Sequence, residues 1–139
     1  MEFKSQVGSF GNNFNNRTEE SLGSATDIWT AYREGVFALS QRPWLGYVMV
    51  LEEAAGSTSP VSVKEPHFPV LDEFRDASYA KRYEIMMTKL LRERLYDGAA
   101  LLMTSQMTGP EGHYSEPNPE LTIENLLKSL RARVVSALE

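Results

Sequence analysis

The residues best suited to chemistry lie at the start of the chain, in the triplet Glu2-Phe3-Lys4. In an extended strand, residues two apart project to the same side, so the carboxylate and the ammonium would share one surface. The Glu2 carboxylate and the Phe3 backbone carbonyl are oxygen donors of the kind that bind Mg²⁺. Lys4 could orient or deprotonate an attacking water and stabilise charge on a phosphate. The alternative is a surface ion pair, because an acid-x-lysine triplet has about even odds of arising by chance.

A second candidate site follows directly. The stretch from Gly8 to Asn16 is rich in Gly, Ser and Asn, which predicts a loop, and a helix is predicted to begin at Thr18. Asparagine can read adenine and arginine can read guanine in the major groove of DNA. The loop could therefore read bases through the side chains of Asn12, Asn13, Asn15, Asn16 and Arg17. Asparagines are also common in turns, and composition by itself favours that alternative.

Other polar residues give weaker signals. His67 lies between prolines in the segment KEPHFP, which begins at Lys64, and His113 follows a glycine; neither has a partner at zinc-binding spacing. Lys64 and His67 are further candidates for contact with DNA. A predicted helix also carries several basic residues, for which a solvated face is favoured and phosphate contacts are the alternative: Lys81, Arg82, Lys89, Arg92 and Arg94. The chain has no cysteine, which excludes disulfides and thiolate metal sites.

The elements that must position these residues alternate between strands and helices. Strands are predicted at 2–7, 44–51 and 99–104, and helices from Thr18, Ser78 and Thr122. The segment 54–76 contains three prolines and is predicted to be a long, irregular connection. The alternation predicts an α/β domain that spans residues 1–139. The residues expected to face inward on the three helices are Leu22, Ala25, Trp29, Tyr32 and Val36; then Tyr79, Tyr83, Met86, Met87, Leu90 and Leu91; then Ile123, Leu126, Leu127, Leu130, Val134 and Leu138.

Composition narrows the class of protein. The chain has 139 residues, 42% of them hydrophobic, and a net charge of −5. An acidic balance argues against a protein that coats nucleic acid non-specifically, although a DNA enzyme with a local basic cleft remains compatible with it. No apolar run is long enough for a membrane span, and no signal peptide is visible. These features predict a soluble, cytoplasmic protein that does not bind membranes.

The stretch EFKSQVGSFGNNFNNRTEE closely resembles the XhoI-like type II restriction endonucleases. The resemblance continues through IWTAYREGVF, RPWLGYVMVLEE, SPVSVKEPHFPV, ASYAKRYEI and LLRERLYD, and so covers nearly the whole chain. It implies a PD-(D/E)xK nuclease with a restriction-endonuclease-like core, a mixed sheet flanked by helices. The implied activity is Mg²⁺-dependent cleavage of double-stranded DNA at the palindrome CTCGAG.

By position, Glu2 and Lys4 fall on the acid-x-lysine motif of that family, with Glu2 as the implied metal ligand. The motif needs a second acid, normally an Asp on the preceding strand, and no residue precedes Met1 here. We therefore expect a core truncated at its N-terminus, with the second acid outside residues 1–139. A palindromic target implies a homodimer, and a complementing N-terminal fragment is a further expected partner. The competing hypothesis is a remnant that binds DNA or self-associates without cutting.

Overall fold

Strands and helices alternate in a computed structural model, which describes residues 1–38 and 41–139. The elements, in chain order, are β1 (Glu2–Gln6), α1 (Phe10–Arg33), β2 (Gly46–Glu52), α2 (Ala55–Thr58), a 3₁₀ turn (Asp72–Phe74), α3 (Tyr79–Arg92), β3 (Gly98–Thr104), a 3₁₀ turn (Gly109–Glu111) and α4 (Ile123–Leu138). All three predicted strands are present, and the predicted α/β class is confirmed.

The three strands form one parallel sheet in the order β1-β2-β3. Glu2 is in register with Tyr47 of β2, and Gly46 is in register with Gly98 of β3. The antiparallel pairing expected of a mixed sheet is limited, within the described residues, to a single bridge between Met103 and Ser115. The strands lie side by side in the order in which they occur in the chain, and connections between parallel strands are right-handed. The two connecting helices, α1 and α3, therefore cover the same face of the sheet.

Alternate residues of the strands face the two sides of the sheet. Tyr47, Met49 and Leu51 face α1 and α3, where they pack with Trp29 and Tyr83 in the larger core. The opposite face is covered by α4, and its smaller core consists of Val48, Ala100, Leu102 and Leu126. The sheet thus separates two apolar layers, and the even-numbered residues of β1 belong to the α1 side.

The start of α1 differs from the prediction of a loop over residues 8–16. Gly8 and Ser9 have positive φ angles, of 58° and 43°, and the helix begins immediately afterwards at Phe10. The side chain of Ser9 does not cap the helix. Instead, Phe10 stacks on Tyr79 of α3, and the rings of Phe14 and Tyr83 pack edge to face with their centroids 5.1 Å apart. This aromatic packing outweighs the weak helix propensity of Gly and Asn, which is why the composition was misleading.

The third predicted helix begins where expected, with Thr122 accepting a hydrogen bond from the backbone N–H of Asn125. Its inward face is shorter than predicted. Leu126 is buried, whereas Leu127, Val134 and Leu138 are exposed. The second half of α4 makes polar contacts to the segment before β2, where Arg133 donates a hydrogen bond to the side chain of Gln41.

The face predicted for the first helix is correct in its centre and wrong at its ends. Ala25 and Trp29 are buried. Leu22 lies at the rim with 42% of its surface exposed, and Val36 lies beyond the end of the helix and is exposed. The second predicted helix is confirmed: Ser78 caps α3, and Tyr83, Met86, Met87 and Leu90 are buried. No helix in the described ranges is long and apolar enough to cross a membrane.

Candidate active site between β1 and α1

Lys4 lies between two carboxylates. Its Nζ is 3.2 Å from Oε1 of Glu2, on the same strand, and 3.2 Å from Oε2 of Glu20, on α1. The strand period places Glu2 and Lys4 on one side, as the sequence predicted. Glu20 reaches them because α1 covers that side of the sheet.

Arg17 completes the group by donating a 2.7 Å hydrogen bond from Nη1 to Oε2 of Glu20, one helical turn away. Glu2, Lys4, Arg17 and Glu20 are called the β1–α1 cluster below. It holds two carboxylates and two cationic groups, so its formal charge is zero. The four side chains are between 23% and 43% exposed, which leaves them open to a ligand from solvent.

A buried tyrosine, Tyr96, contacts the carboxylate of Glu2. The hydroxyl of Tyr96 lies 3.0 Å from Oε2 of Glu2 and 3.0 Å from the carbonyl oxygen of Ser21. A phenol has one proton to donate, so the two acceptors compete for it. Burial, followed by the negative charge of Glu2, raises the pKa of Tyr96, which keeps this hydroxyl protonated and able to donate. The carboxylate of Glu2 is thereby oriented by its own strand neighbour on one side and by Tyr96 on the other.

Two more tyrosines lie under the cluster. Tyr47 and Tyr83 are fully buried, and within the described residues their hydroxyls have no hydrogen-bond partner. Burial raises the pKa of Tyr83 to about 12. Burial and then the charge of Glu2 raise the pKa of Tyr47. Nε of Arg17 and Oε1 of Gln6 are likewise buried without a partner in this part of the chain.

The electrostatics of the cluster favour the charged form of Lys4. Hydrogen bonds to Glu2 and Glu20 raise the pKa of Lys4 above its ordinary value. The hydrogen bond from Arg17, and then that from Lys4, lower the pKa of Glu20. Lys4 is therefore a stable ammonium in this arrangement. It is suited to stabilising charge on a phosphate or orienting a water, and poorly suited to removing a proton from one.

The donor set is compatible with a divalent cation. Carboxylate oxygens are the ligands that Mg²⁺ prefers, and it is usually bound by one or two carboxylates together with substrate phosphates and water. Among the residues that the structure describes, no group of three or more His, Asp or Glu side chains could hold a metal ion. An ion at the β1–α1 cluster would therefore need ligands from a backbone carbonyl, from water or from DNA.

The predicted base-reading residues lie on the first two turns of α1 instead of in a loop. Asn12, Asn15 and Asn16 are exposed, while Asn13 is half-buried. Residues 13, 17 and 20 are spaced four and three apart, so Asn13 lies on the same strip of the helix as Arg17 and Glu20. The structure thus joins Arg17 to the Glu2–Lys4 pair. Asn16, four residues before Glu20, lies beside this strip, whereas Asn12 and Asn15 lie further round the helix.

The other predicted DNA contacts, Lys64 and His67, are exposed in the connection between α2 and the first 3₁₀ turn. This connection is held by Glu65, which accepts a hydrogen bond from the backbone N–H of Val70 and pairs with Arg75 at 2.9 Å. The predicted irregular segment is therefore ordered by its own polar contacts.

The sequence reasoning missed Glu20 and Tyr96. Glu20 lies on a helix that the sequence predicts to begin only at Thr18, and Tyr96 is 94 residues away from Glu2 in the chain. The spacing of Arg17 and Glu20, three apart, is a usable signal for a helical ion pair once the helix is known to begin at Phe10.

This chain is similar in sequence to type II restriction enzymes. The family model described as restriction endonuclease XhoI matches residues 1–116. The type II restriction enzyme BstVI of Geobacillus stearothermophilus is 55% identical over 137 residues, which are 98% of this chain and 61% of that enzyme. The type II restriction enzyme XhoI of Xanthomonas vasicola is 47% identical over 92 residues, covering 66% of this chain and 37% of the relative. AbrI of Azospirillum brasilense, another type II restriction enzyme, is 59% identical over 69 residues, covering 49% and 31%.

The class of protein to which this α/β chain is similar is therefore the type II restriction enzymes. The chain belongs to the XhoI restriction endonuclease family. It spans 61% of the length of BstVI and smaller shares of the other two relatives. No solved structure matches it significantly.

Proposed function

We propose that this chain carries the acid–lysine part of the catalytic site of a type II restriction endonuclease that hydrolyses double-stranded DNA at CTCGAG with Mg²⁺. The observation that supports this most directly is the pairing of Glu2 with Lys4 on one side of β1, at 3.2 Å, in a chain of the XhoI family. The target sequence is the one that the family resemblance implies.

The roles of the residues follow from their chemistry. Glu2, with the backbone carbonyl of Phe3, would hold Mg²⁺, which supplies charge stabilisation for the phosphate and activation of a water. Tyr96 orients the Glu2 carboxylate through the hydrogen bond at 3.0 Å. Lys4, as a stable ammonium, stabilises the negative charge that develops on the phosphate oxygens. Each role depends on the position of β1 beside α1.

A palindromic target is best matched by a symmetric homodimer, so the working enzyme is proposed to be dimeric. Its contacts to DNA are proposed to include the exposed side chains of the first turns of α1, Asn12, Asn15 and Asn16, together with Asn13, Arg17 and the Lys64–His67 segment. A complementing N-terminal fragment that pairs with β1 is the other proposed protein partner. Restriction acts on DNA inside the cell, which makes the cytoplasm the proposed location.

The second candidate is a protein that binds DNA or self-associates without cutting. One observation favours it: within residues 1–38 and 41–139, no group of three acids and histidines forms a complete metal site. For the same reason, cleavage by this chain is expected to be weak or absent, so an assay needs an excess of protein over DNA.

The test is cleavage of a supercoiled plasmid that has one CTCGAG site, beside the same plasmid with that site altered. Under the proposed function, slow Mg²⁺-dependent nicking occurs at the site and is lost in Glu2→Gln, whereas the exposed Glu53→Ala variant, in the turn after β2, retains it. Selective binding of CTCGAG without nicking would establish the second candidate. If the chain treated both plasmids alike in binding and cleavage, both candidates would be wrong.

A further inference from the structure

We infer that Glu52, at the carboxyl end of β2, reads a C·G base pair of the DNA by accepting a hydrogen bond from the amino group of its cytosine. This rests on the proposed function, because the ligand is taken to be double-stranded DNA. It places a base-reading carboxylate on the sheet, in addition to the proposed contacts of α1.

The position of Glu52 in the fold is the first reason. Because the sheet is parallel, its strands end side by side, and Glu52 is in register with Thr104. A pocket of about 120 Å³ lies at this edge, and Gln6, Glu52 and Gln106 are among the residues that line it. Ligands of open α/β sheets bind outside the carboxyl ends of the strands. Gln6 follows Lys4 by two residues of β1, which is about 7 Å in an extended strand, so the pocket lies close to the β1–α1 cluster.

The chemistry of the pocket favours a base over a phosphate. Within the described residues, its lining consists of hydroxyls, amides, two valines and the carboxylate of Glu52, without a lysine or arginine. A carboxylate repels a phosphate group, whereas glutamate is one of the side chains that accept a hydrogen bond from N4 of cytosine in the major groove. The pocket is therefore suited to the edge of a base pair.

The carboxylate of Glu52 is already held in place. Its Oε2 accepts a 3.0 Å hydrogen bond from the backbone N–H of Gly8, and its Oε1 accepts one of 2.6 Å from the side chain of Gln106. A carboxylate has about four acceptor sites, so both oxygens retain a site for a further donor. Because the side chain is fixed before DNA binds, little conformational entropy is lost when a base pairs with it.

Gln6 supports the same arrangement. Its side chain is 2% exposed and donates a hydrogen bond from Nε2 to the carbonyl oxygen of Gly8. Both backbone groups of Gly8 are thus bound to residues of the pocket, which fixes the turn between β1 and α1. Among the residues that the structure describes, Oε1 of Gln6 is buried without a partner. A ligand in this pocket could supply the missing donor, since buried polar atoms are almost always hydrogen-bonded.

The negative charge of Glu52 gives the contact a specific signature. A guanine in place of the cytosine presents only the acceptors N7 and O6 in the major groove, and a carboxylate opposite them is left unpaired. Glu52 would therefore act largely by excluding the wrong base. An amide at this position could donate to guanine, so Glu52→Gln should bind an altered site more tightly than the wild type does.

The test is fluorescence anisotropy of the 139-residue chain, without Mg²⁺, with CTCGAG and with three palindromes changed at one position of the half-site, GTCGAC, CACGTG and CTGCAG. The wild type is expected to prefer CTCGAG. In Glu52→Gln, the preference over either GTCGAC or CTGCAG should fall about tenfold, while the preference over CACGTG stays within about twofold. The matched control is Glu53→Gln, which makes the same charge change on the adjacent, exposed residue and should keep all three preferences.

A second variant leaves the carboxylate in place. Gln106→Ala, at an exposed position, removes the hydrogen bond that holds Oε1 of Glu52 and should lower the same preference by about fivefold. Circular dichroism establishes that each variant is folded, and Gln106→Ala decides if Glu52→Gln is not.

Unchanged preferences in the folded variants would overturn the inference and leave the proposed function intact, because the plasmid assay decides that function. Equal weakening of all four duplexes in Glu52→Gln would overturn it too, since Glu52 would then only hold the turn at Gly8. A wild type that binds the four duplexes alike would show that no base is read in this pocket.

Discussion

At the scale of single residues, the tyrosines under the β1–α1 cluster link the stability of the protein to alkaline pH. Burial raises the pKa of Tyr83 from an ordinary 10.0 to about 12. Between these values the unfolded chain has lost the phenolic proton and the folded chain retains it, so the folded state binds more protons. The stabilisation is complete below pH 10.0 and is lost as the pH rises through about 12.

We therefore expect the melting temperature to fall steeply above about pH 10, and to fall less steeply in Tyr83→Phe. At neutral pH this variant should cost less than about 1 kcal/mol, because within residues 1–38 and 41–139 the hydroxyl has no hydrogen-bond partner to lose. Tyr114→Phe is the control, since Tyr114 is 57% exposed and its removal should leave the pH profile unchanged. Parallel profiles for the wild type and Tyr83→Phe in calorimetric melts would contradict the assignment of this alkaline transition.

At the scale of elements, the helical start of α1 changes what mutation of its asparagines should do. In a helix, replacing an exposed Asn by Ala favours the folded state by about 0.5 kcal/mol. If Asn15 or Asn16 reads a base, the same change should also weaken specific DNA binding by about 1–3 kcal/mol and leave non-specific binding nearly unchanged. We therefore expect Asn15→Ala and Asn16→Ala to have a slightly higher melting temperature and a weaker preference for the specific DNA site.

The control for these variants is Ser24→Ala, at an exposed position further along α1. Binding is measured by fluorescence anisotropy with a CTCGAG duplex and a scrambled duplex. If the variants at Asn12, Asn13, Asn15, Asn16 and Arg17 all lost specific and non-specific affinity equally, this helix would not be the reading element. The Lys64–His67 segment would then be the next candidate.

At the scale of the whole molecule, the open edge of the sheet is the feature with the clearest consequence. Among the residues that the structure describes, β1 is the outer strand beside β2, and Phe3 is 69% exposed on the face away from α1. Unpaired backbone groups next to an exposed apolar side chain favour pairing with another strand. We expect concentration-dependent self-association, and Phe3→Lys should weaken it by about tenfold because a charge on the edge opposes pairing.

Phe68→Lys provides the matched control, since Phe68 is 83% exposed but lies in the loop after α2. Sedimentation equilibrium measures the association of all three proteins. A wild type that stays monomeric at high concentration, with β1 well protected from hydrogen exchange, would show that this edge does not pair.

The sequence by itself determined the features that depend on local pattern. The period-two spacing put Glu2 and Lys4 on one side of a strand, the apolar runs identified β2 and β3, and Ser78 and Thr122 marked the starts of α3 and α4. Each of these follows from the residue and its close neighbours, so a linear reading can find it.

Tertiary structure alone decided where α1 begins and which residues meet Lys4. Phe10 packs on Tyr79 and Phe14 packs on Tyr83, and in each pair the two residues are 69 positions apart in the chain. These contacts stabilise a helix in a segment whose composition predicts a loop. The same packing brings Glu20 close to Lys4. The connection between α3 and β3 brings Tyr96 close to Glu2. The exposure of Leu127, Val134 and Leu138 has a similar origin, since an apolar helix residue is buried only where another element packs against it. Burial and long-range contact depend on the partner surface as well as on the segment, and the partner surface exists only after the chain has folded.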